Sequence, residues 1–262
     1  MCAAILIWSV PAAAQFSAPA SPAVGDEYHI EAALSWWSPE PKLIIASESL
    51  GIPGDDVDLV NDLGIEKKRL RELRLVLRPA PKHKFRLNYL PIQYSAEALV
   101  PREFVFNGQR YRVGLPVNTE ADLTTWRFGY EYDFFYRSRG YVGVLLDVKY
   151  TNVDVVLDSP IGNEFTSQVA PIPTIGVVGR GYIVPNVSIT GEVSFFKVPE
   201  NLGEQLNGEG RYLDYDFYGT FNFNRNAGAQ LGLRSIDVQY RKDLDAGTLN
   251  FKGWYFGGVI RY

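Results

Sequence analysis

The chain has 262 residues, 46% of them hydrophobic and 14% aromatic, with a formal net charge of −4. That mild acidity argues against a nucleic-acid partner, because phosphate binding calls for a basic stripe. One cysteine and two histidines exclude a small disulfide-stapled domain and leave little for a zinc or copper site, so no cofactor and no metal is expected.

Residues 1–14 read as a signal peptide: apolar Ile5 to Val10, then Pro11, Ala12, Ala13 and Ala14, with cleavage before Gln15. The run is too short to cross a bilayer as a helix. Cys2 lies inside it, so the mature chain carries no thiol. Residues 15–26, rich in Ala, Ser and Pro, read as a disordered lead, and residues 27–262 as one domain. No later stretch has the uninterrupted apolar length that a membrane helix requires, so membrane insertion must be through strands.

His29 opens the first strand, and Ser38 to Lys68 reads as a long polar loop. Asp55, Asp56 and Asp58 within it could offer oxygen ligands to calcium, but the glycine and glutamate spacing of an EF-hand is missing, and a solvated acidic loop is the expectation. Two strands flank a turn at Pro79 to Lys82, carrying Arg74 and Arg86, and His83 follows that turn. A second long connection, Ala96 to Asp122, contains a local hairpin of Glu103 to Asn107 with Arg110 to Val117 around Asn107-Gly108.

From Trp126 the alternation is strict: Trp126, Phe128, Tyr130, Tyr132, Phe134 and Tyr136 form one face, and Arg127, Glu131 and Asp133 the other. Period two means a strand. A three-residue loop, Ser138-Arg139-Gly140, would pair Arg137 with Tyr141 and set Glu131 opposite Asp147, with an arginine, Arg86 first, between the two carboxylates. Val142, Val144, Leu146, Val148 and Tyr150 then face one way, and Gly143, Asp147, Lys149 and Thr151 the other. Asp158 to Glu164 reads as another loop, and Arg180 precedes the turn Val184-Pro185-Asn186.

The alternation recurs to the end. Ile189, Val193 and Phe195 oppose Ser188, Thr190, Glu192 and Ser194, and after the loop Pro199 to Gly210, Phe217, Phe221 and Phe223 oppose Asp214, Asp216 and Thr220. Leu231 and Leu233 oppose Gly232 and Arg234, and a bulge near Ser235 would bring Ile236, Val238 and Tyr240 to the leucine face. The hairpins amount to about ten strands, or twelve if those local to the long loops are included.

The last segment, Phe251 to Tyr262, ends on an aromatic with Trp254, Phe256 and Ile260 in phase. It resembles the C-terminal strand of bacterial outer-membrane β-barrel proteins. The resemblance implies an all-β, antiparallel, transmembrane up-and-down β-barrel in the outer membrane, recognition by the barrel-assembly machinery, and contact with outer-membrane lipid and lipopolysaccharide. Short turns would then lie in the periplasm, as would the lead, and long loops outside. Substrate and oligomeric state are not implied.

A soluble secreted barrel or sandwich would show the same alternation with the aromatics inward, but a barrel of about ten strands cannot house six large aromatics from one strand. Outward aromatics leave a lumen lined by Arg74, Arg86, Arg127, Glu131, Asp133, Asp147, Lys149, Arg180, Glu192, Asp214, Asp216 and Arg234. Such charges must pair or be wet. The first reading is a salt-bridged lumen with a structural or binding role, and the second a narrow porin-like channel for small polar solutes. Enzymatic barrels of this size rely on a histidine near the outer rim, whereas His29 and His83 fall at the periplasmic end, so hydrolysis or acyl transfer ranks third and no catalytic residue is assigned. Asp214 and Asp216, alternate residues on a strand, read as lumen wall and not as an acid/base pair.

Overall fold

The computed structural model describes residues 23–47, 54–199, 208–242 and 245–262. The expected signal peptide lies outside these residues, as does most of the expected lead. Among the described residues there are thirteen strands: β1 (Ile30–Ala46), β2 (Val57–Asp58), β3 (Leu70–Ala80), β4 (His83–Leu99), β5 (Phe104–Phe106), β6 (Gln109–Tyr111), β7 (Pro116–Arg137), β8 (Gly140–Ser159), β9 (Gly162–Val184), β10 (Val187–Lys197), β11 (Gly208–Asn222), β12 (Ala227–Lys242) and β13 (Asp245–Arg261). All but β2, β5 and β6 form an up-and-down antiparallel wall that closes where β13 pairs with β1 from Glu31↔Arg261 to Ala46↔Ala246. The result is a ten-stranded barrel, as the alternation predicts.

Outward positions are apolar over a defined band. On β8, Val142, Val144, Leu146, Val148 and Tyr150 are exposed, and the next outward positions are Asn152 and Asp154. Phe128 and Trp126 on β7 give way to Thr124 and Asp122, and Trp254 on β13 gives way to Lys252. Tyr89, Trp126 and Tyr150 are successive cross-strand partners, an aromatic row at the outer edge of the band. β8 has 20 residues and β9 has 23, against the roughly 9 to 11 that cross a bilayer. The wall therefore stands far above the membrane on the side of the long connections.

Four local expectations change. β1 continues to Ala46, so the first long connection is shorter than Ser38 to Lys68. Asp158 to Glu164 is a tight turn, Ser159 pairing with Gly162, at the tip of long strands instead of a loop. The β7–β8 turn pairs Arg137 with Gly140, and a bulge between Tyr132 and Phe135 absorbs the residues at Asp133 and Phe134. Glu131 thus faces Leu145, Asp147 faces Gly129, and Tyr136 turns inward toward Asp26. β12 has no bulge at Ser235: its ladders with β11 and β13 are continuous, so Ile236, Val238 and Tyr240 stay on the inward face with Arg234.

Prolines mark where the wall is paired on one side only, because they have no N–H for a ladder. β3 pairs with β1 only up to Leu70↔Trp37 and with β4 only up to Leu73↔Tyr89, and Pro39, Pro41 and Pro91 lie just beyond. A loop fills that gap. Val57, Leu59, Leu63 and Ile65 pack there against Leu43, Ile45, Phe104 and Phe106, a buried apolar cap on the outer end. The β5–β6 hairpin turns through Asn107 (φ 49°) and Gly108 (φ 77°), the left-handed pair that a two-residue hairpin needs. Two of the three aspartates of the first loop serve structure through their carboxylates: Asp58 accepts from the backbone N–H of Val60 and Asn61, and Asp55 from Val105 N–H.

Candidate functional site: a charged floor beneath an apolar chamber

The lumen has two storeys. The lower one is charged, and all twelve sequence-derived candidates are buried in it. Their partners come from strands across the barrel. Arg86 on β4 bridges Glu131 (3.1 Å) and Glu192 (2.7 Å), and Arg127 on β7 bridges Glu192 (2.5 Å) and Asp147 (2.6 Å). Arg234 joins Asp214 (2.9 Å) to Glu72 (2.6 Å), Lys149 meets Asp214 at 3.3 Å, and Arg74 meets Asp216 at 3.3 Å. Asp133 is held by Lys84 at 2.8 Å. Among the described residues Arg180 has no carboxylate partner; it donates to Thr190 Oγ1 at 3.0 Å and to the Tyr218 hydroxyl at 3.3 Å. The expected sharing of one arginine by Glu131 and Asp147 does not occur, since the bulge separates them and Arg127 takes Asp147.

Sequence reasoning missed Glu31, Glu72, Lys84 and Arg261, all buried: Glu72 and Lys84 join the cross-barrel network, and Arg261 forms a separate pair with Glu31. Glu72 shares its strand face with Arg74, and Lys84 with Arg86, so the same alternation that found the arginines also held these. Counting the periplasmic mouth, nine cations and nine carboxylates are buried along the described lumen. The floor as a whole is neutral.

The periplasmic mouth is covered by the start of the described chain. Val24 N–H donates to Pro185 O (2.7 Å), Asn222 Nδ2 to Val24 O (2.7 Å), and Arg78 to Asp26 O, while the Tyr136 hydroxyl donates to the Asp26 carboxylate at 2.7 Å. Residues 23–26, expected as the end of a disordered lead, are thus ordered across the barrel end. His29 and His83 both lie at this rim, where His29 Nδ1 is 3.4 Å from Arg78 O and His83 Nδ1 is 2.6 Å from the Tyr130 hydroxyl.

The upper storey is apolar. One inward position above Arg234 comes Ile236, and above Lys149 comes Thr151; with Thr125, Ile92, Leu123, Leu249 and Phe251 they surround a cavity of about 380 Å³, which Val153, Ile172, Phe196 and Val238 also line. That volume is within the range of small-ligand sites, roughly 300 to 1,000 Å³. On one flank stands the loop cap, in which burial raises the Tyr111 phenol to about 12 and keeps it neutral. At the outer end Arg211, Arg241 and Glu209 reach the cavity. The sequence reading missed this chamber, because a bulge at Ser235 would have sent Ile236 and Val238 to the lipid.

No family model and no curated protein matches the chain. Solved structures do. The outer-membrane protease OmpT of Escherichia coli superposes with a TM-score of 0.61 at 9% identity, over 89% of this chain and 96% of that one. The fold is that of a bacterial outer-membrane β-barrel. The translocator domain of the autotransporter NalP from Neisseria meningitidis aligns over 90% of this chain and 89% of its own, with 5% identity and a TM-score of 0.41. The toluene transporter TodX of Pseudomonas putida aligns over 89% and 90%, with 6% identity and a TM-score of 0.37. Together with the apolar band and its aromatic edge, the fold sets this outer-membrane barrel in the outer membrane, with its short turns periplasmic and its loop cap outside.

Proposed function

We propose that this outer-membrane barrel is a sealed, non-conducting binding protein that holds a small apolar molecule in its outer chamber. The observation that carries the reading is the change from charge to a mostly apolar lining, as from Arg234 to Ile236, which leaves a cavity of about 380 Å³ on top of a filled floor. An apolar cavity of that size favours hydrocarbon over water, which needs several polar partners to be held. Against a porin-like channel stand the cross-barrel ion pairs and the mouth covered by residues 23–26: a solute path would have to break both. Against hydrolysis stands the position of both histidines at the opposite rim from the chamber, out of reach as general bases for anything bound there.

Two measurements on refolded protein test the reading. Planar-bilayer recordings should show no steady conductance, and cis-parinaric acid should brighten on binding. Ile236→Trp, which sets a bulky ring at the base of the chamber, should weaken that binding strongly while leaving the heat-modifiable gel shift of the folded barrel intact. Steady channels, or unchanged binding by this variant, would refute it.

A further inference from the structure

We infer that the chamber opens sideways through the barrel wall, between β9 and β10, and receives the acyl chain of a single-chain anionic amphiphile from the outer leaflet. This rests on the apolar-binding reading above and adds the route and the ligand class.

Among the described residues the wall is incomplete there. β10 pairs with β9 from Val187↔Val184 up to Phe195↔Ile175 and no further, whereas β9 continues for 13 residues, Gly162 to Thr174, paired on its other side with β8 alone. Pro171 and Pro173 lie in this overhang. Without N–H groups they cannot extend a ladder toward β10, so the missing hydrogen bonds are built into the sequence. Exposed backbone polar groups are costly in lipid, and prolines reduce their number.

The two gaps in the barrel are treated differently. Beyond the top of β3, buried Val57, Leu59, Leu63 and Ile65 close the wall. At β9 no described residue does so; instead the cavity lining includes both faces of that strand. Ile172 faces inward, while Val169 and Pro171 belong to the outward face, with Val169 52% exposed. Because the ladder to β10 has ended before Pro171 and Val169, their edge of β9 borders the cavity directly.

The seam also lies at the right depth. Pro171 is the cross-strand partner of Tyr150, in the aromatic row that marks the outer edge of the apolar band. Below it Ile175, Val177 and Phe195 are exposed to lipid, and above it on β10 comes Lys197. A chain in the outer leaflet therefore meets the opening at the headgroup boundary. The polar end of such a ligand would stay at the mouth, where Lys197 and its cross-strand partner Arg211 favour an anionic head.

Cys2 is the only cysteine in the sequence, so with Cys2→Ser as background staples can be placed freely. Pro173→Cys with Lys197→Cys, two residues beyond the last β9–β10 pair on each strand, would close the seam. Val177→Cys with Val193→Cys, already paired, serves as the control. Transfer of cis-parinaric acid from phosphatidylcholine vesicles into protein reconstituted in the same lipid should slow by at least an order of magnitude in the oxidised seam variant, recover on adding reductant, and be unaffected in the control. An unchanged rate in the oxidised seam variant, with binding still strongly weakened in Ile236→Trp, would overturn the side opening and leave the chamber standing. Unchanged behaviour in both variants would overturn both. Equal transfer of the uncharged alcohol of the same chain length would overturn the anionic head preference.

Discussion

Gly129 lies directly across the β7–β8 ladder from Asp147, and a Cβ at position 129 would overlap the Asp147 carboxylate. The missing side chain is what lets the carboxylate lie flat against β7 and reach Arg127 at 2.6 Å. Gly129→Ala should displace it and destabilise the barrel by about 1 to 3 kcal/mol, the usual cost of overpacking a tight interior. Thermal loss of the compact gel band reads this directly, and an unaltered transition temperature would show that the carboxylate has another place to go.

Glu192 is the one carboxylate that touches both Arg86 and Arg127. Glu192→Gln keeps the shape and leaves two guanidinium groups short of charge, so a loss of about 3 to 5 kcal/mol is expected, as for a broken buried pair. Conductance should stay silent, because the side chain still fills its space. A stable variant that conducts would mean that the floor is wet.

Leu146 is exposed on the lipid face, while its neighbour Leu145 is buried inside. Leu146→Arg should cost about 2 to 4 kcal/mol if it lies near mid-membrane. Urea titration in detergent-free vesicles measures the difference, and equal stability to the parent would invert the facing.

Arg102 clips the two outer loops together, donating to Asp62 at 2.5 Å and 2.9 Å and to Asp56 O at 2.6 Å. It is half exposed, so the pair is worth only about 1 kcal/mol or less. Arg102→Ala should leave the barrel's melting unchanged and raise proteolytic cutting of intact cells near residues 54–69. Slower or equal cutting would place the stability of the cap in its apolar contacts alone.

The barrel and its facing were legible because period-two alternation survives in nearly every wall strand, from Trp126 to Phe134 and from Phe217 to Phe223. Lumen charges were legible for the same reason. Extended residues beyond the membrane were not: Lys42 to Ala46 and the Asp158 to Glu164 turn lack the lipid-facing half of the signal, so long strands looked like loops. The phase shift at Asp133 and Phe134 was invisible because both bulge residues are followed by aromatics that suit either face. Ile236 and Val238 misled in the opposite way. An apolar residue after Arg234 suggests a flip to lipid, unless the lumen itself turns apolar, and only the packing of distant strands shows that it does.

The neutral floor has a consequence for assembly. Arg234 and Glu72 are 162 residues apart in sequence, and Arg74 and Asp216 are 142 apart. Neither pair can form within a hairpin; each needs the first strands and the last ones side by side. Arg234 finds Asp214 within the β11–β12 hairpin, but Glu72 and the Arg74–Asp216 pair wait in a partly inserted sheet until the first and last strands meet. The join of β13 to β1 is therefore the step that completes the set of ion pairs.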